Sequence, residues 1–244
     1  MYNKIMKEIM SHKNYEKAKN LSWFFKTGKG QYGEGDLFLG ITVPEARKIA
    51  VKYGDIPLPD ISKLIKNKYH EVRLIALLIL VHKYKSSPLS ARKVLAESHK
   101  KIFNFYLKHT KYINNWDLVD LSAGYIIGNY LYDQSDTFKK TILTKLANSK
   151  NIWERRIAIV STFAFIYKGE SEWTFRIAKI LLKDKHDLIH KAVGWMLREI
   201  GKRVSEKELI AFLDIYTTKM PRTMLRYTIE RLPETKRKYY LNKK

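Results

Sequence analysis

A chain of 244 residues, 45% of them hydrophobic, holds enough apolar material for one sizeable core or two small ones, and periodicity must decide between them. Its 47 basic against 24 acidic residues leave a net charge of +23, more than solubility requires; this points to a polyanionic partner, nucleic acid first, against the plainer alternative of a lysine-rich surface, since Lys supplies 35 of the 47. The absence of cysteine excludes disulfides, thiolate zinc sites and cysteine nucleophiles, so any chemistry falls to oxygen, imidazole or aromatic groups.

The opening MYNKIMKEIMSHKNYEK alternates charge with hydrophobe, unlike a secretory signal, and no apolar run reaches the roughly 18 residues of a membrane helix. A cytoplasmic protein with no membrane partner is expected. After the helical pattern of KAKNLSWFFK comes GKGQYGEG, whose first six residues spell GxGxxG. A dinucleotide loop must leave a β-strand and enter a helix within a βαβ unit, and neither strand nor unit is present, so no nucleotide cofactor is expected. The glycines read instead as a connector turning through positive φ, with Lys26, Lys29 and open backbone N–H groups available to a phosphate backbone. LFLGITV reads as a loop packed against a helix start at Pro44-Glu45.

Apolar residues then recur at three and four, as in HEVRLIALLILVHKY, and the chain reads as all-α. Similar helix openings appear at Asn67, Ile113, Ser149, Asp184 and Thr218, the last three at intervals of 35 and 34 residues. One helix pair per interval predicts an α-solenoid of HEAT-like antiparallel repeats, residues 1–244 forming one curved domain with a basic concave face.

Within NNWDLVDLSAGYIIGNYL, Asn115 caps a helix and Asp117 sits in its first turn, where the helix dipole alone accounts for a carboxylate. Asp120 shares a face with Trp116, Val119, Ala123 and Ile127, an apolar stripe on which a carboxylate is costly unless paired. Pattern leaves two readings open there, a buried Asp satisfied by a neighbouring repeat or a catalytic or binding group. In NIWERRIAI, Asn151 and Glu154 form a capping-box pattern, and Arg155 and Arg156 point about 100° apart, so that one reaches inward. His186 and His190 are four apart but lack HExxH or a visible third ligand, and no metal is expected. Lys191, Trp195 and Arg198 form one basic and aromatic stripe suited to nucleic acid, unless Trp195 is simply core.

The phrases FLGITVPEARKIA, NNWDLVDLSA, NIWERRIAIV, HKAVGWMLREIGKR and MPRTMLRYTIERLP together resemble the AlkD family of bacterial DNA alkylation repair enzymes, HEAT-like-repeat DNA glycosylases that release alkylated purines, from about Phe24 to Pro233. The resemblance implies that Trp116, Asp120, Arg156 and Trp195 line the DNA cleft; together with the residue patterns above, the expectation is that Asp120, Trp116 and Trp195 are catalytic and that Arg155, Arg156, Lys191, Arg198 and Lys29 contact DNA. The resemblance also implies hydrolysis of the N-glycosidic bond of N3- or N7-alkylated purines in double-stranded DNA, without a dedicated base pocket, cofactor or obligate protein partner. The competing expectations are a non-catalytic HEAT-like scaffold or nucleic-acid binder, and an RNA binder.

Overall fold

A computed structural model describes residues 1–86 and 92–243. The protein is all-helical, as an α-solenoid requires; the described residues contain no strand, only an isolated parallel bridge between Leu37 and Tyr69. The chain divides into two compact units, residues 1–122 and 123–244.

The first unit carries α1 (Tyr2–Ser11), α2 (Tyr15–Phe24), α3 (Val43–Lys52), α4 (Leu58–Ile65), α5 (His70–Ser86), α6 (Arg92–Lys108) and α7 (Trp116–Asp120). At its centre lies α5, buried continuously from His70 to Val81, with α3 and α4 packed on it. A helix apolar on all sides belongs in the middle of a core. The start of α3 at Pro44-Glu45 matches the sequence reading, and the structure adds a capping box between Thr42 and Glu45 around Pro44. The loop before it is held by Glu71, whose buried carboxylate accepts from the amides of Leu39 at 2.9 Å, Gly40 at 2.8 Å and Ile41 at 3.2 Å.

The second unit begins with a π-helical turn, Gly124–Gly128, followed by α8 (Asn129–Tyr132), α9 (Asp136–Ala147), α10 (Ile152–Ser161), α11 (Phe163–Tyr167), α12 (Glu172–Leu181), α13 (Asp187–Arg203), α14 (Glu206–Tyr216), α15 (Arg222–Thr228) and α16 (Glu234–Asn242). Its densest packing joins α13 to α15, where a Cβ on Gly194 would lie 2.6 Å from the Met224 carbonyl. That glycine brings the two helices together.

One expected helix is not continuous. The pattern starting at Asn115 predicted an unbroken stripe reaching Ile127, but α7 ends at Asp120, Leu121 and Ser122 turn, and the π-helical segment follows. Ser122 diverts the chain by donating its hydroxyl to the Leu118 carbonyl at 2.5 Å. Among the described residues no helix is long and apolar enough to cross a membrane.

Removing the Glu71 carboxylate strands three buried amides, each costing about 1 kcal/mol or more. Urea unfolding of Glu71→Ala is therefore expected to show a loss of about 3 kcal/mol or more; a loss below about 1 kcal/mol would mean that the loop finds other acceptors.

Candidate active site and nucleic-acid contacts

The glycine-rich segment turns through positive φ at Gly30 (76°) and Gly35 (82°), while a Cβ on Gly33 would lie 2.3 Å from the Phe25 carbonyl. Lys29 is exposed there. The expectation of open amides is corrected: Gly28 N–H donates to Gln31 Oε1 at 3.0 Å, Gly30 N–H to Glu34 Oε2 at 2.8 Å, and Gly33 N–H to the Lys26 carbonyl at 3.1 Å. What the loop delivers is the residue that follows it, Asp36, which is buried.

Asp36 opens a chain of buried charges. Arg73 Nη2 donates to Asp36 Oδ1 at 2.6 Å, His70 Nδ1 stands 3.1 Å from Asp36 Oδ2, and His70 Nε2 stands 2.8 Å from Asp117 Oδ2. Burial works hardest against a charged His70 ring, but the Asp117 charge, its hydrogen bond and that of Asp36 outweigh it and hold the pKa up at about 9. Asp36 is likewise opposed by burial, yet its bond to His70 and the Arg73 charge keep it below the usual carboxylate range. Asp117 thus does more than meet a helix dipole: it closes this chain. Asn115, which caps α7 at Trp116 N–H (2.8 Å), also reaches Asp36 Oδ2 at 3.4 Å.

Beside this chain lies a cavity of about 610 Å³, with Phe24, Phe25, Phe38 and Trp116 on its aromatic side and His70, Asp117 and Asp120 on its polar side. The rings form a stack: Trp116 on Phe25 (5.2 Å), Phe25 on Phe38 (5.1 Å), and the His70 ring on Phe38 (4.6 Å). An imidazolium against aromatic faces gains cation–π attraction. Trp116 and Asp120 are half-buried, whereas Val119 and Ala123 are fully buried. Asp120 therefore lies at the cavity wall and not on the buried stripe that a continuous helix predicted.

In the second unit, Lys191, Trp195 and Arg198 are all half-buried, forming the expected stripe along α13, and Trp195 is not core as Met196 and Leu197 are. The Trp195 ring lies 6.0 Å from Phe163. Lys191 pairs with Asp187 at 2.7 Å; Arg198 pairs with Glu230 and, at 3.7 Å, with Glu199. The two adjacent arginines make internal bonds. Arg155 clasps Asp184 through Nε at 2.6 Å and the carbonyls of Ser149 and Lys150 at 3.0 and 3.1 Å. Arg156 is the one that reaches inward, buried, with Nη1 donating to the Leu188 carbonyl at 2.6 Å. Asn151 caps α10 by accepting from Trp153 N–H at 2.9 Å, and Glu154 accepts from the Ser149 hydroxyl at 2.6 Å. His186 caps α13 by accepting from Leu188 N–H, and His190 Nε2 stands 2.5 Å from the Asp184 carbonyl.

The family model for DNA alkylation repair enzymes matches residues 5–232. This chain belongs to that DNA alkylation repair family. The match begins ahead of Phe24, so α1 and α2 are part of the family's fold although their sequence carries little of the resemblance. A solved structure described as a predicted DNA alkylation repair enzyme from Enterococcus faecalis is similar with a TM-score of 0.68 at 18% identity, covering 91% of this chain and 98% of that one; at such identity the likeness is one of fold. No curated protein matches the chain.

Trp116 and Asp120, which the resemblance implied for a DNA cleft, both line the cavity; the buried pairing of Asp36, His70, Arg73 and Asp117 was not expected. The signal was the HEVR opening of α5, three ionisable groups at the head of a fully apolar run. Such groups require partners, and the local chain supplies only the Asn67 and Lys68 carbonyls, to Arg73.

Because His70 titrates at about 9 when folded against its ordinary 6.5, its contribution is complete below pH 6.5 and is lost as pH rises through 9. On the order of 3 kcal/mol of unfolding free energy should disappear between pH 6 and pH 10 in urea titrations. His70→Gln should remove this slope; an equal slope in that variant would assign it to other groups.

Proposed function

We propose that this protein is a DNA glycosylase that hydrolyses the N-glycosidic bond of N3- or N7-alkylated purines in double-stranded DNA. Membership of the DNA alkylation repair family supports a role in alkylation repair on DNA. The observation that carries the finer reading is the placing of Trp116 and Asp120 together on the wall of one aromatic cavity.

The chemistry follows from the leaving group. A purine alkylated at N3 or N7 is cationic, so cleavage neutralises the base and positive charge develops on the deoxyribose. No strong general acid is needed; the protein's task is to stabilise a cation. The Asp120 carboxylate faces the sugar and orients the attacking water, and the electron-rich face of Trp116 adds cation–π attraction. At about 4 Å and an effective dielectric of about 20, one carboxylate supplies roughly 4 kcal/mol, on the order of a thousandfold in rate. That suffices for an already labile bond and is too little for an undamaged nucleoside. No metal or cofactor enters this mechanism.

Duplex binding is proposed to draw on the net charge of +23 through Lys29 in the first unit and the Lys191, Trp195 and Arg198 stripe in the second. Trp195 would meet the DNA as an aromatic contact between two cations. Arg156 and Arg155 are proposed to act from their internal bonds, shaping the backbone at the starts of α10 and α13 that faces the duplex. A protein handling DNA in this way would work in the cytoplasm.

Chromatography of bases released from a duplex carrying 7-methylguanine tests the reading directly. Asp120→Asn is expected to slow single-turnover release by on the order of a thousandfold while retaining duplex affinity. Full activity in that variant would remove Asp120 from the chemistry, and duplex binding by the wild type without base release would favour a non-catalytic binder.

A further inference from the structure

The chemistry proposed for Trp116 and Asp120 leaves unused the groups packed directly behind them. Asp36, His70 and Asp117 are buried side by side, with side chains 6%, 2% and 8% exposed. Both ring nitrogens of His70 face carboxylate oxygens, Nδ1 at 3.1 Å and Nε2 at 2.8 Å. Carboxylates accept and do not donate, so both bonds exist together only when both nitrogens carry protons. A neutral ring would turn a lone pair toward one carboxylate and lose that bond.

The loss would fall on the Asp117 side chain, beside the fully buried Leu118 and Val119. Asp117 Oδ1 is buried with no hydrogen-bond partner, so the bond from His70 to Oδ2 is the anchor of that carboxylate. Asp36 has further support from Arg73 at 2.6 Å and Asn115 at 3.4 Å. Asp117 lies on α7, a helix of five residues bounded by Trp116 and Asp120. A helix this short has almost no stability of its own and takes its orientation from its tertiary contacts. Phe25 packs between the Trp116 ring at 5.2 Å and the His70 ring at 4.9 Å, a second link from the bracket to the cavity wall.

We propose that His70 and Asp117 are positioning residues for base excision: the doubly protonated imidazole, bracketed by Asp36 and Asp117, fixes the first turn of α7 and thereby aims Trp116 and Asp120 at the sugar. This inference rests on the excision reading of the cavity. The charged groups facing His70 are Asp36 from the loop, Asp117 from α7 and Arg73 from its own helix. Neighbouring Glu71 is committed to the amides of residues 39–41. Excision therefore depends on one proton held well inside the protein, apart from the reacting atoms.

The experiment is single-turnover release of 7-methylguanine from one defined duplex between pH 6 and pH 10, in wild type, Asp117→Asn and His70→Gln. The substrate's own titration is common to all three. The wild-type rate is expected to fall with a midpoint near 9, where His70 loses its proton. Asp117→Asn keeps an acceptor for the ring but removes the charge that holds the proton, so its midpoint should move down by roughly one pH unit or more, with most of the rate regained at pH 6. His70→Gln has no proton to lose there, and its profile should show only the substrate's own titration, without the step near 9. A rate lowered equally at every pH, with the midpoint unmoved, would make the bracket a packing element only and overturn the inference while leaving the excision reading intact. Should Asp117→Asn not fold, Asp36→Asn on the other ring nitrogen must show the same downward shift, and an unshifted midpoint there overturns the inference equally. Wild type that releases no base at any pH overturns the excision reading, and the inference falls with it.

Discussion

The first unit is organised around one buried imidazolium. His70 joins three segments far apart in the chain: the end of the glycine-rich loop through Asp36, the head of the central helix, and the first turn of α7 through Asp117. Burying four ionisable groups is expensive, and buried ion pairs are poor sources of net stability. What they supply is a unique geometry, because a wrong pairing leaves a charge stranded in the core. With His70 protonated, Asp36 and Asp117 are balanced by His70 and Arg73, and the cluster is neutral. The cavity wall then carries the Asp120 carboxylate beside that neutral cluster, with Lys17 and Glu71 also in its lining.

This arrangement resolves an electrostatic conflict. A protein of net charge +23 is drawn to DNA, yet the reaction proposed for it creates positive charge on a sugar. General basicity helps binding and opposes the chemistry. The solution in the first unit is local: electron-rich rings and a carboxylate gathered at one cavity, whose lining also includes Lys17, with the buried cations behind it, His70 and Arg73, each committed to buried carboxylates. The cations of the α13 stripe are likewise accompanied by acids, Lys191 by Asp187 and Arg198 by Glu230 and Glu199, which tempers their field without removing them from the surface.

The helical class, the helix start at Pro44-Glu45, the openings of α5, α10, α13 and α15, and the α13 stripe were legible in the sequence because each depends on local spacing. Asp120 was singled out as a carboxylate on a buried stripe, which the structure revises: its helix stops at that residue, and Asp120 is half-buried at the cavity wall while Val119 and Ala123 are fully buried. The break arises from a serine hydroxyl competing for a helix carbonyl, a contest that hydrophobic periodicity does not register. The glycine-rich loop was read correctly as a turn and incorrectly as a set of free amides, since Gln31 and Glu34 fold back to take them. The roles of Arg155 and Asp117 were illegible for a different reason: their partners, Asp184 and His70, lie 29 and 47 residues away, and no alternation or repeat links such positions.

The state of the His70 ring is the point on which these relations turn, and nitrogen NMR of the selectively labelled imidazole reads it directly. At pH 7.5 both ring nitrogens should resonate as protonated, and they should titrate in a single step with a midpoint near 9. A ring with one unprotonated nitrogen at pH 7.5 would contradict the bracket, and with it the positioning of Trp116 and Asp120 by a buried cation.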